Sequence, residues 1–154
     1  MGSDNSIVNN LQLIPPGASY AVLVRHAERF NLLAGRLGNN VPITKKGIED
    51  ARDFGLSLKP YKVDSIFSSP VLRCVQTANE IFGGAGADGL KVNTRTSLGV
   101  PGCYIKNPYI AIKYFLVSDA ETVIQAFIAR GKMDGFVPLK EGSINLLSEI
   151  LGDL

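Results

Sequence analysis

The chain's clearest pattern is the alternation of short continuous apolar runs with segments of helical periodicity. Tyr20-Ala21-Val22-Leu23-Val24 is rich in strand formers and stops abruptly at Arg25-His26. An unbroken run of this kind suits a strand buried on both faces, as in a parallel sheet. Thr44 is a good helix cap, and behind it Ile48, Ala51, Gly55 and Leu58 recur three or four apart, up to the breaker Pro60. Val63-Asp64-Ser65-Ile66-Phe67 reads as a second short strand, closed by Ser68-Ser69-Pro70. A second helix is expected with Val71, Val75, Ala78 and Phe82 on one side, broken by the glycines from Gly83 to Gly89. Leu90-Lys91-Val92-Asn93-Thr94 reads as a third strand, and helices are expected at 108–115, 120–130 and 142–151. Residues 31–42 read as a loop, and residues 1–16 as a loose, flexible polar lead-in ending at Pro15-Pro16. Strands alternating with helices predict an α/β domain over residues 17–154 with a mostly parallel sheet. In such folds, ligands bind beyond the carboxyl ends of strands.

Composition narrows this picture. The 154 residues suffice for one domain with a core, and 45% apolar against 19% charged residues is a globular balance. A net charge of +2 is too even to argue for nucleic acid or a membrane surface, so any basic site must be local. No apolar run approaches the ~20 residues needed to cross a bilayer, and no basic-then-apolar leader is visible. The cytoplasm is the default expectation. Met1 to Ser6 fit the myristoylation pattern, which is too short a motif to argue for lipidation by itself. Cys74 and Cys103 form no C-x-x-C pair and are not followed by an arginine six residues on. They read as buried apolar thiols rather than redox, zinc or nucleophilic groups.

The candidate chemistry lies at Leu23-Val24-Arg25-His26-Ala27-Glu28-Arg29. A histidine alone is more often a surface or packed residue than a catalyst. Here it ends a strand between two arginines, an arrangement that repels itself unless an anion sits among the charges. Phosphate is the anion that the guanidinium fork fits best. The same positive charge would lower the histidine pKa and keep the ring neutral and nucleophilic. A second signal is Ser68-Ser69-Pro70 followed by Arg73 near a helix start, where a basic residue is unusual unless it shares an anion with the helix terminus.

Taken together, these residues resemble the histidine phosphatase (phosphoglycerate mutase-like) superfamily. Val24-Arg25-His26-Ala27-Glu28 is similar to its Arg-His-Gly core, with Ala27 in place of glycine. Val41-Pro42-Ile43-Thr44-Lys45-Lys46-Gly47 resembles its Leu-Thr-x-x-Gly helix opening, and Ser68-Ser69-Pro70 through Arg73 to Gln76-Thr77-Ala78 its second signature. The match runs from about Ala21 to Phe82 and is looser beyond. The resemblance implies a three-layer α/β/α fold and a phosphatase acting on phosphomonoesters or phosphohistidine. His26 would be the nucleophile, Arg25 and Arg73 would hold the phosphoryl oxygens in catalysis, and Arg29 would be a third phosphate ligand. Neither metal nor cofactor would be required, and the partner would be a phosphorylated small molecule or phosphoprotein. A positioned set of cations supplies most of the stabilisation such a transfer needs.

One departure matters. The family has a second catalytic histidine on a later strand, and this chain contains a single histidine. The segment from Gly142 to Leu154 resembles the helix before that strand, so the domain is expected to be C-terminally incomplete. A sheet without that strand would expose an edge open to self-association. The alternative reading is a catalytically silent phosphate-binding or interaction domain. Gly84-Ala85-Gly86-Ala87-Asp88-Gly89 matches G-x-G-x-x-G but follows a helix rather than a strand, and reads as a turn rather than a nucleotide site.

Overall fold

A computed structural model of the chain describes residues 6–31, 38–87, 89 and 91–152. Its first element corrects the reading of residues 1–16 as a flexible lead-in. Ser6–Leu11 is a helix, α1, and Leu11 is 7% exposed, packed with Ala51, Leu58 and Ile81. The cause is apolar spacing in a polar segment: Leu11 and Ile14 turn towards this cluster, and the Tyr61 hydroxyl reaches the Val8 carbonyl at 3.4 Å. Residues 1–5, at the start of that lead-in, lie outside the described residues, as do 32–37 of the expected loop and Leu90 of the expected third strand.

Helix α2 spans Lys45–Leu58, and the Thr44 hydroxyl caps it by accepting the Gly47 N–H at 3.0 Å. Strand β1 is Ile66–Ser68, helix α3 is Leu72–Ala85 and strand β2 is Val92–Thr94. The strands pair in parallel, with Ile66 opposite Val92 and Ser68 opposite Thr94. β1, α3 and β2 therefore form the crossover unit that defines an α/β fold. α3 packs on both strands and, on its other side, against α2. That second contact is unusually close. A Cβ at Gly55 would collide with the Ile81 carbonyl, and one at Gly84 with the Arg52 carbonyl. Gly84 thus belongs to helix packing, and Gly86 ends α3 in the left-handed conformation at φ 68°, which accounts for the glycine-rich decoy.

The apolar run at residues 20–24 is not a strand. It is extended but pairs with nothing among the described residues, and Leu23 and Val24 are 65% and 40% exposed. A run of strand formers needs neighbouring backbone to complete a ladder, and the described sheet is the β1–β2 pair alone.

Beyond the Thr96–Leu98 3₁₀ turn lie α4 (Pro108–Val117), α5 (Ala120–Arg130) and α6 (Leu139–Leu151). Asn107 and Asp119 cap α4 and α5 by accepting backbone N–H groups. α6 begins three residues before the expected 142, directly after Pro138. Around Ala111, Val123, Phe127 and Phe136 a second cluster gathers, rich in aromatic rings. Hydrogen bonds tie α6 to the segment that follows β2: the Ser97 hydroxyl donates to Glu149 Oε1 at 2.9 Å, and the Tyr104 and Ser143 hydroxyls meet at 3.1 Å. No helix among the described residues is long and apolar enough to cross a membrane.

Candidate active site

The extended segment delivers His26 to a loop that two helices hold from opposite sides. On the α2 side, the Thr44 N–H donates to the Glu28 carbonyl at 2.9 Å, and the Thr44 hydroxyl donates to the Glu28 carboxylate at 2.7 Å. Gly47 lets α2 approach this closely, because a Cβ there would collide with the Glu28 carbonyl oxygen. On the α3 side, the Thr77 hydroxyl accepts the Ala27 N–H at 3.0 Å, and Gln76 Oε1 accepts the Ile43 N–H at 3.0 Å. Arg29 and Ile43 form an antiparallel bridge between these two stitches. Two threonines, a glutamine and a glycine thus fix residues 27–29 without any regular sheet.

At this loop opens a cleft of about 360 Å³ lined by Arg25, His26, Ala27, Glu28, Arg29 and Asn31. A larger groove of about 510 Å³ runs along Leu23, Val24 and Arg25 towards Leu98, Tyr104 and Leu146. Its walls are mainly apolar, and Arg25 is the residue that the two share. Charge chemistry is concentrated in the smaller cleft.

His26 Nδ1 lies 2.8 Å from the Ala27 carbonyl oxygen. A carbonyl can only accept, so Nδ1 carries the proton and Nε2 presents its lone pair. Partial burial pushes the His26 pKa below its usual 6.5, the bond to Ala27 opposes this, and the positive charges of Arg73, Arg25 and Arg29 push it further down. The ring is therefore neutral at neutral pH.

Arg73 stands in the first turn of α3 and is half-buried. Its Nη1 donates to the Gly38 carbonyl at 2.9 Å, whereas its Nε is buried and has no hydrogen-bond partner among the described residues. Burial lowers its pKa, and Arg29 and Arg25 add to that, with Cys74 opposing. The guanidinium nevertheless stays charged. Arg29 donates to the Phe30 carbonyl at 2.9 Å. Arg25, His26 and Arg29 line the cleft, whereas Arg73 does not line it; all three guanidinium charges nevertheless act on the His26 ring. Of the serines in the second signature, Ser69 takes a structural post. Its hydroxyl accepts the Val71 N–H at 3.3 Å, opening α3, and Gly99 packs against it. Burial raises the Cys74 thiol pKa, against the opposing effects of Arg73 and Ser69, which disfavours the thiolate. No cluster of side chains suited to a metal ion occurs among the described residues.

Residue types and spacing singled out the charged groups. They did not single out Thr77 or the Thr44–Glu28 pair, which hold the loop. The available signal was a polar residue one turn after Arg73, on the face that also carries Ala78, Ile81 and Gly84.

The described residues thus form an α/β domain with a histidine and two arginines lining one cleft. Residues 21–99, just over half of the chain, match the Histidine phosphatase superfamily (branch 1), and the chain belongs to that superfamily. It is 31% identical over 84 residues to the 2,3-bisphosphoglycerate-dependent phosphoglycerate mutase of Methanosarcina mazei, over 53% of this chain and 35% of that protein. To the 2,3-bisphosphoglycerate-dependent phosphoglycerate mutase 1 of Arabidopsis thaliana it is 32% identical over 85 residues, 49% of this chain and 25% of that one. These matches span only about a third and a quarter of the relatives' lengths. A solved structure assigned as the phosphohistidine phosphatase SixA of Agrobacterium tumefaciens is 20% identical, covers 64% of this chain and 59% of that one, and superposes with a TM-score of 0.43, too loosely to support an argument.

Proposed function

We propose that the chain hydrolyses phosphomonoesters or phosphohistidine through a phosphohistidine intermediate on His26. The observation that carries this reading is a neutral His26 with Nδ1 tied to Ala27, among three arginines of which Arg73 has a buried, unpartnered Nε. His26 Nε2 attacks phosphorus, the P–O or P–N bond of the substrate breaks with its electron pair on the leaving oxygen or nitrogen, which takes a proton from solvent, and the phosphoryl group remains on the ring. Water then attacks phosphorus, the N–P bond breaks, and the imidazole nitrogen recovers its electron pair as inorganic phosphate leaves. Arg25, Arg29 and Arg73 neutralise the equatorial oxygens in both steps, each contributing a factor of about 10²–10³ to the rate. Phosphorylated small molecules and phosphoproteins are the substrate classes that such a site accepts.

A second reading has its own observation. The single histidine leaves the site without a second imidazole, so a phosphate-binding domain that does not turn over also fits. Hydrolysis of p-nitrophenyl phosphate separates the two, because its leaving group departs as a stable anion and needs no acid. Turnover that vanishes in His26→Ala establishes the phosphatase. Phosphate binding without turnover in either protein leaves the silent domain.

A further inference from the structure

We propose that Thr77 is the positioning residue that fixes the tautomer and aim of His26, a role that rests on the phosphatase reading for its consequence in turnover. Thr77 is buried in the first turns of α3, four residues after Arg73. At that spacing its hydroxyl reaches back and donates its one proton to the Arg73 carbonyl at 2.7 Å. The hydroxyl oxygen is then purely an acceptor towards the loop, where it takes the Ala27 N–H at 3.0 Å. Ala27 is in turn the residue whose carbonyl lies 2.8 Å from His26 Nδ1.

These contacts form one directed relay: His26 Nδ1–H to Ala27, Ala27 N–H to Thr77, Thr77 O–H to Arg73. Every donor has one acceptor; reversing either end link would leave a carbonyl facing a lone pair, and the middle donor, a backbone N–H, can only donate. Its outcome is chemical. With its carbonyl held in place, Ala27 keeps the proton on Nδ1 and the lone pair on Nε2. Without a fixed acceptor, a neutral imidazole populates both tautomers, and the Nε2–H form cannot attack phosphorus. The relay also ties the nucleophile's loop to the helical turn that carries Arg73, so that nucleophile and phosphate ligand keep one spacing.

The test uses the full chain and its single histidine. Long-range proton–nitrogen correlation of His26 above pH 7.5, where the ring is neutral, reads the tautomer directly. We expect Nδ1–H in the wild type, a mixture with Nε2–H in Thr77→Val, and recovery in Thr77→Ser, which keeps the hydroxyl. With p-nitrophenyl phosphate, kcat should fall about 10–100-fold in the valine variant, with little change in KM, and recover in the serine variant. Where the valine variant does not fold, Thr77→Ala takes its place. Val123→Ala, in the aromatic cluster remote from this loop, controls for general destabilisation. A wild type in the Nε2–H form overturns the proposal, as does a hydroxyl-free variant that keeps Nδ1–H and its kcat, or a Val123→Ala protein that scrambles the tautomer equally. Absence of wild-type turnover would instead remove the phosphatase reading, and the tautomer measurement would still decide the role of Thr77.

Discussion

Two regions of this chain are packed by opposite means. Around α2 and α3 the buried positions are small: Gly47, Ala51, Gly55, Thr77, Ala78 and Gly84, with Leu58 and Ile81 the bulky members. Backbone meets backbone there, and side-chain hydroxyls and amides take up loop N–H groups. Around α4 and α5 the interior is made of rings. Phe136 meets Phe127 at a centroid distance of 5.0 Å and Tyr114 at 5.9 Å, and Tyr104 meets Phe127 edge-on at 6.1 Å. Rings bury large areas and tolerate small displacements, whereas a glycine contact fixes a separation to a fraction of an ångström. The anion site sits on the first kind of packing. Its loop is held at Ala27 by α3 and at Glu28 by α2, so the distance between the helices sets the shape of the site.

The largest effect that separates the regions should come from Phe127→Ala. Phe127 is buried and touches the rings of Tyr104 and Phe136, so its loss should cost about 3–5 kcal/mol in a denaturant titration. The folded fraction should keep the His26 resonance and the affinity for inorganic phosphate of the wild type. A phosphate affinity that collapses in this variant would show that the two regions are not separate in function.

Gly84→Ala should act in the reverse sense with a smaller effect on stability. An alanine inside a helix normally gains up to about 1 kcal/mol over glycine. Here the added methyl would meet the Arg52 carbonyl and force α2 and α3 apart, at a cost of about 1–3 kcal/mol. Because the helices hold the two ends of the loop, turnover of p-nitrophenyl phosphate should fall along with stability. A variant more stable than the wild type, or one that loses stability while kcat stands, would break the link between helix spacing and the site.

This division explains what could be seen in the sequence. The helices were legible because periodicity and caps act locally, as with Thr44 at the start of α2. Arg25, His26, Arg29 and Arg73 stood out in the sequence because grouped charge is costly without an anion. Boundaries were less so. β1 lies three residues after the expected Val63, because pairing with Val92 to Thr94 sets the strand and hydrophobicity does not. The run at residues 20–24 has the composition of a strand and still pairs with nothing among the described residues, since a strand exists only beside another. Leu11 is buried although its surroundings are polar, because α1 finds the cluster of Ala51, Leu58 and Ile81. Thr77 passed without a role because its function is a three-dimensional relation between α3 and a loop fifty residues earlier.

The finest test of the site is the titration of His26, which the single histidine makes readable as one proton resonance. Burial lowers its pKa from 6.5, and Arg73, Arg25 and Arg29 act in the same direction against the bond to Ala27. The free protein should titrate below 6.5. In Arg73→Ala the midpoint should rise, since one repelling charge is gone and any opening of the site adds water around the ring. Inorganic phosphate should raise it too, because an anion in the cleft favours the protonated ring. The linkage sign follows from the same shift. As pH falls below 6.5 the unfolded chain takes up a proton that the folded one resists, so the stability contribution of His26 is present above 6.5. It is lost through the window between 6.5 and the lower folded value. A midpoint at or above 6.5 without phosphate, or one indifferent to Arg73→Ala, would mean that the arginines do not face the ring, and the site would lose the electrostatic basis for a neutral nucleophile.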